Sequence, residues 1–403
     1  MRKILMTGVV MLLFGSGVAH AQPDDLEIHG FASTGYLKST ENNFLVLSKE
    51  GSFEFNEAGL NVTTSLTDTI RVGMQLFARD QGDIGNNAVK LDWAFLDYQW
   101  KEALGVRLGK IKMPIGLYNE TRDYDMLRTS ILLPMSVYNE NMRESAVSYR
   151  GGGPYGTLSL GPGGRLGYDA FGGTLEIPTD GGLAKIIEGS GDSRMTLTSA
   201  EIDYVVGGRI RWHTPLPGLM LGATWYQLDL TYNTQLASLP VDLEIESPEM
   251  RLGFLSARYS LGDLTATAEY CRLKADLTTT MDMSSLDQPN PEPVEATQDA
   301  EGYYGLLAYR LTDWFEAGVY YSVYYPDRDD REGDNQVAAG KPDFIAWQKD
   351  LAFSARFDLT DFWLVKLEVH VMDGVAQCMA VDNPDGFDEQ NWTLFAVKTT
   401  FNF

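Results

Sequence analysis

The chain is poor in the residues that build disulfide scaffolds, metal centres and nucleic-acid surfaces. Cysteine occurs twice, at Cys271 and Cys378, which excludes a small disulfide-built fold. The pair could form one disulfide or stay as two separate thiols. Histidine occurs four times, at His20, His29, His213 and His370, and never at metal-ligand spacing. No cofactor or metal is expected. Positive charge is scarce: 32 Lys and Arg stand against 56 Asp and Glu, for a net charge of −24. Nucleic acid is therefore excluded as a partner, because neutralising phosphates takes a basic surface. Long hydrophobic runs are also missing. After Phe14 no stretch approaches the roughly 20 apolar residues of a membrane helix. Disorder does not follow, because 44% of the residues are hydrophobic and 11% aromatic.

The N-terminus reads as a targeting segment. Arg2 and Lys3 precede an apolar run, Ile4 to Phe14, too short to span a bilayer as a helix. Ala19-His20-Ala21 is a small-x-small cleavage site. Residues 1–21 are therefore expected to be removed, and a single domain, 22–403, to fold after export.

In that domain the dominant pattern is alternation. Ile70, Val72, Met74, Leu76 and Ala78 share one face of a strand; Arg71, Gly73, Gln75 and Arg79 share the other, with Phe77 out of pattern. Trp363, Val365, Leu367, Val369 and Val371 oppose Lys366, Glu368 and His370. Phe395, Val397, Thr399, Phe401 and Phe403 oppose Lys398, Thr400 and Asn402. Period 2 means strands with one apolar face. Sixteen such segments are predicted, near 26–37, 51–65, 68–80, 88–100, 104–112, 144–159, 163–177, 200–213, 217–231, 248–260, 263–275, 301–311, 313–324, 346–358, 361–373 and 390–403.

The connections alternate short and long. Leu66-Thr67-Asp68, Lys101-Glu102-Ala103, Gly161–Gly164, Pro215–Gly218, Leu261-Gly262-Asp263, Leu311-Thr312-Asp313 and Leu359-Thr360-Asp361 are short. The connections near 38–50, 81–87, 113–143, 178–199, 232–247, 276–299, 325–345 and 374–389 are long. Systematic alternation of this kind is the mark of a transmembrane antiparallel β-barrel, with short turns on one side and long loops on the other. The fold class is thus all-β, a barrel of about sixteen strands, placed in the bacterial outer membrane among lipid and lipopolysaccharide. Aromatic residues should mark the membrane interface. Trp100, Trp212, Trp314, Phe315, Phe362, Trp363, Phe401 and Phe403 all stand beside the short turns or the C-terminus.

The faces opposite the apolar band carry Arg71, Arg79, Lys90, Arg107, Arg150, Arg209, Arg211, Arg356, Lys366 and Lys398. They also carry Asp92, Glu201, Asp203, Glu269, Glu316, Asp358 and Glu368. Such charges need water, so the reading is a hydrated lumen with a slight basic excess. The third long loop, Met113–Arg143, mixes Ile131, Leu132, Leu133 and Met135 with Glu120, Arg122, Asp123, Asp125, Arg128 and Arg143. An exposed loop has no need of Ile-Leu-Leu-Pro. A loop packed on the inner wall does, and its charges, facing Arg107 and the rest of the wall, would form a narrow, polarised eyelet. A lid or a subunit contact is the other reading of the same loop.

GKIKMPIGLYNETRDYDMLRTSILLP, GVYYSVYYPDRDDREG and FIAWQKDLAFSARFDLTDFWLVKLEVHVMDG resemble a Gram-negative porin family allied to the phosphate-selective porins. The resemblance spans most of the domain through these separated motifs. It implies a trimer whose third external loop constricts the channel, with Arg122, Asp123 and Arg128 in the constriction. Phosphate selectivity is not implied, because acids interrupt the basic wall. The expected function is passive diffusion of small hydrophilic solutes. A channel for anionic or dicarboxylate solutes is the alternative. An outer-membrane barrel enzyme would need a base such as His370 in register with a nucleophile, and no motif ties a serine to it; the chain is not expected to be an enzyme.

Overall fold

A computed structural model of the chain describes residues 26–189, 194–387 and 389–403. The predicted targeting segment lies outside them. Sixteen strands form one closed antiparallel barrel. They are β1 (Leu26–Ser39), β2 (Phe55–Thr67), β3 (Ile70–Gln81), β4 (Lys90–Lys101), β5 (Leu104–Lys112), β6 (Ser148–Ser159), β7 (Arg165–Thr174), β8 (Met195–His213), β9 (Leu219–Leu236), β10 (Asp242–Leu261), β11 (Leu264–Asp282), β12 (Val294–Thr312), β13 (Phe315–Tyr325), β14 (Gln348–Thr360), β15 (Trp363–Gly374) and β16 (Asn391–Asn402). Each strand pairs with its neighbours in sequence, and β16 returns to pair with β1. Closure removes every free edge. The last bonds of the seam run from Gly30 N–H to the Phe403 carbonyl, 2.9 Å, and back, 3.0 Å. A Cβ on Gly30 would lie 2.3 Å from the Phe403 ring, so a larger residue there would make the terminal ring swing aside.

The predicted faces of β3, β15 and β16 hold. Met74, Leu76, Leu367, Val371, Phe395 and Val397 are exposed on the outside. Gln75, Arg79, Lys366, Glu368, His370 and Lys398 are buried on the inside, and Phe77 is buried with them. At the short-turn end Trp100, Trp212, Trp314, Phe362, Phe401 and Phe403 are all exposed outward. Trp363 stacks on Phe401 and Trp314 on Phe357. A closed barrel with an apolar outer band ringed by aromatics is suited to a bilayer.

The loops on the other side differ from the sequence reading. Strands β8 to β12 run 18–20 residues, which turns the end of the predicted loop 178–199 and much of the predicted loops 232–247 and 276–299 into sheet. Alternation continues there with its faces exchanged. On β10 Leu243, Ile245, Met250, Leu252 and Phe254 turn inward, whereas Asp242, Glu244, Glu246, Glu249 and Arg251 are exposed outward. The register shifts at Ile202/Val205 and at Ser247/Met250 lie close to the changeover. Above the bilayer water solvates the outer face, so the apolar residues move inside. This corrects two acids: Glu201 and Asp203 are exposed on the outside, Glu201 paired with Thr231 in the outward row. It also corrects Arg150, which shares the outward row with Lys110 and bonds Glu176 at 2.5 Å. Both cysteines are free.

Candidate functional site

The segment between β5 and β6 touches the inner wall on every side. Its apolar residues take three positions. Ile131, Leu132 and Met135 pack with Leu37, Met372, Trp392 and Leu394. Leu133 and Tyr138 pack with Tyr304. Met113 and Ile115 pack with Tyr149, Phe171 and Tyr226. Main-chain donors are also held. Glu368 on β15 accepts the N–H groups of Ile131, 2.7 Å, and Leu132, 2.9 Å. Glu269 on β11 accepts the Leu117 N–H at 3.0 Å and the Tyr138 hydroxyl at 2.5 Å. A loop has few internal partners for its backbone, so carboxylates on the wall supply them.

Charged side chains of the segment form three buried clusters with the wall. In the first, Arg143 donates to Asp123 at 2.7 Å and to Asp92 at 3.2 Å. Lys112 holds the other Asp123 oxygen, and the Arg143 guanidinium lies 3.8 Å from the Phe77 ring centre. Phe77, the apolar exception on its face, is thus a seat for a cation. In the second cluster Glu140 bridges Arg79, 2.8 Å, and Arg122, 2.7 Å, with Glu144 on the far side of Arg79. In the third, Asp125 gathers Arg128 and Lys398, each 3.0 Å away, with Lys366 at 3.6 Å. Lys366 also donates to the carbonyls of Asp125 and Ser130, and Arg356 to that of Met126.

Burial and partners act oppositely on these loop carboxylates. Burial pushes the Asp123 carboxyl up, but Arg143 and Lys112 outweigh it and hold the group well below the ordinary carboxylate range. Burial likewise opposes Lys398, Lys366 and Arg128 at Asp125, and again the cations win. Glu140 is raised by burial and lowered more by Arg122 and Arg79, from 4.5 to about 2.

The predicted constriction residues therefore divide. Arg122, Asp123, Asp125, Arg128 and Arg143 are tied into the three clusters. Glu120 reaches a different part of the wall and bonds Arg209 at 2.5 Å, while Arg209 also holds Asp169. Arg107 bonds Asp97 at 3.0 Å and stands between the Phe95 and Tyr155 rings. Arg71 lies over Phe95, and Arg211 is 3.8 Å from Asp169. The sequence reading missed Lys112, Glu140 and Glu144 as cluster members, and Arg258. The last is exposed on the inner row of β10 opposite Thr267, beside Tyr118 and Arg128. Its signal was an arginine in alternation with Ser256 and Ser260.

His370 faces inward as predicted, but it is fully buried. Nδ1 meets Asp350 at 3.0 Å and Nε2 meets Glu368 at 3.0 Å. Both ring nitrogens are occupied, which leaves none to take a proton from a substrate.

No family model and no curated protein matches the sequence. Solved structures are similar in shape. OmpF of Salmonella typhi in complex with daunomycin superimposes with a TM-score of 0.57 at 12% identity, over 94% of this chain and 97% of that one. The outer-membrane channel DcaP of Acinetobacter baumannii gives 0.54 at 12%, over 94% and 97%. An anion-selective porin from Comamonas acidovorans gives 0.53 at 12%, over 94% and 99%. The fold is that of the outer-membrane porins. At this identity the likeness extends to the fold alone, and any function has to be argued from this chain's own residues.

Proposed function

We propose that the exported chain is an outer-membrane porin, a water-filled channel for passive diffusion of small hydrophilic solutes that favours anions. In this reading it sits as a homotrimer among lipid and lipopolysaccharide. The segment 113–147, folded against the inner wall, forms the constriction, with Glu120, Arg122, Asp123, Asp125, Arg128 and Arg143 on the loop and Arg107 on the wall. Arg71, Arg79, Arg209, Arg211, Arg356 and Lys366 complete the charged lining.

The observation that carries the anion preference is an imbalance of partners. Four acids inside the barrel have an arginine: Asp97 has Arg107, Glu120 and Asp169 share Arg209, and Glu316 has Arg310. Among the described residues Arg258 and Arg71 have no carboxylate partner, and Arg211 only a distant one. Spare arginines facing an aqueous passage with low-dielectric walls raise the local concentration of anions. In a KCl gradient across a planar bilayer, the reversal potential should show chloride preferred over potassium. Arg258→Glu with Arg211→Glu should abolish or invert that preference with the barrel intact. A clear cation preference in the unaltered protein refutes the reading. Chemical cross-linking of the folded protein should give a trimer; a monomer alone would contradict the assembly.

A further inference from the structure

The inner wall is not polar throughout. On the long-loop side of segment 113–147 a cavity of about 350 Å³ remains open. Its wall is Leu228, Leu230, Leu252 and Phe254, all inward-facing on β9 and β10. Ile115 and Val137 of the segment close one side, and Leu183 and Ile186 of the external helix α1 (Gly182–Glu188) close another. The polar groups at its edge include Asn119, Arg122 and Asn139. Packed interiors keep few voids larger than a water molecule, and water gains little from an apolar lining. The volume falls within the roughly 300–1,000 Å³ of small-molecule sites, which are likewise mostly apolar with a few polar groups.

We propose that this cavity is a binding site for the tail of an amphipathic anion, a monocarboxylate with a short alkyl or aryl chain. The carboxylate is the part that rests on the channel reading above, in which the lumen favours anions; Arg122 is the arginine at the edge of the cavity beside the segment. The tail is the new part. Leu228, Leu230, Leu252 and Phe254 offer apolar surface that a sugar or a chloride ion cannot use.

The test is block of single-channel KCl current by acetate, butyrate and hexanoate, added in turn on the long-loop side. Affinity should rise roughly fourfold per added methylene, the factor set by burying one such group. Leu228→Asn and Phe254→Asn should flatten that dependence while leaving KCl conductance. Ile186→Asn, on the external helix and outside the sheet, makes the same test without touching the barrel. Equal block by all three acids, in a channel that conducts and prefers anions, overturns the inference and leaves the channel reading standing. A chain-length dependence that survives all three substitutions also overturns it. A folded protein that passes no ions overturns both.

Discussion

Asp123→Ala should raise single-channel conductance and current noise, and lower the stability of the folded protein by about 3–5 kcal/mol, the cost of leaving buried charges without their partner. Two cations depend on this carboxylate. Arg143 would keep only Asp92 at 3.2 Å, and Lys112 only the same residue at 3.7 Å. One carboxylate, farther from both cations than Asp123 is, would then serve two buried charges. The cheaper outcome is for the segment to lift, because water then reaches Arg143. Stability and conductance should therefore change together. Exposed pairs give the contrast. Arg165 and Glu102 are both more than half exposed, and Arg165→Ala should move stability by less than about 0.5 kcal/mol and leave conductance alone. Heat-modified gel mobility reads the first quantity and bilayer recording the second. An Asp123→Ala protein of unchanged conductance and stability would show that the cluster does not hold the segment.

Arg122→Ala and Arg128→Ala belong to the same experiment. Each removes a cation from a loop carboxylate, Glu140 and Asp125 respectively, so conductance should rise or selectivity shift, by less than for Asp123. Glu140 retains Arg79 and Asp125 retains Lys398. No change in conductance or selectivity would remove both residues from the constriction.

Strand number and faces were legible because the rule behind them is local. A residue's neighbours two positions away decide whether it faces lipid, and Met74, Leu76, Leu367 and Val371 obeyed. The rule misled where its physical cause changed. Leu243 and Ile245 alternate with Glu244 and Glu246 as well as any pair in the band, but they stand above the bilayer, and the same period then puts the apolar side inside. Arg150 failed for a related reason: near the rim an exposed arginine can face outward and bond Glu176 without meeting hydrocarbon. The charges of segment 113–147 were legible as charges but not as pairs. Asp125 meets Lys398 across more than 270 positions of sequence, a juxtaposition only the closed barrel creates. Phe77 was visible as an anomaly, and its use became clear only with Arg143 above it.

Acid should release the segment, and the direction follows from its carboxylates. Asp123, Asp125 and Glu140 all titrate lower in the folded chain than free in water. Groups shifted this way favour the folded arrangement in full above the ordinary carboxylate range, and the contribution is lost as pH falls through the folded value. For Glu140 the window runs from 4.5 down to about 2; Asp123 and Asp125 lose theirs later still. The release that these three carboxylates govern should thus begin only below about pH 4.5, with conductance rising and noise increasing as the solution approaches pH 2. Anion preference should grow over the same interval, because protonating Glu140 leaves Arg79 and Arg122 with less counter-charge. Glu140→Gln removes the first of these titrations, so its conductance at pH 7 should already match part of the acid-induced rise. A transition centred near pH 6 to 7 in the unaltered protein would mean that some other group controls the segment, since no carboxylate held below its usual range can titrate there.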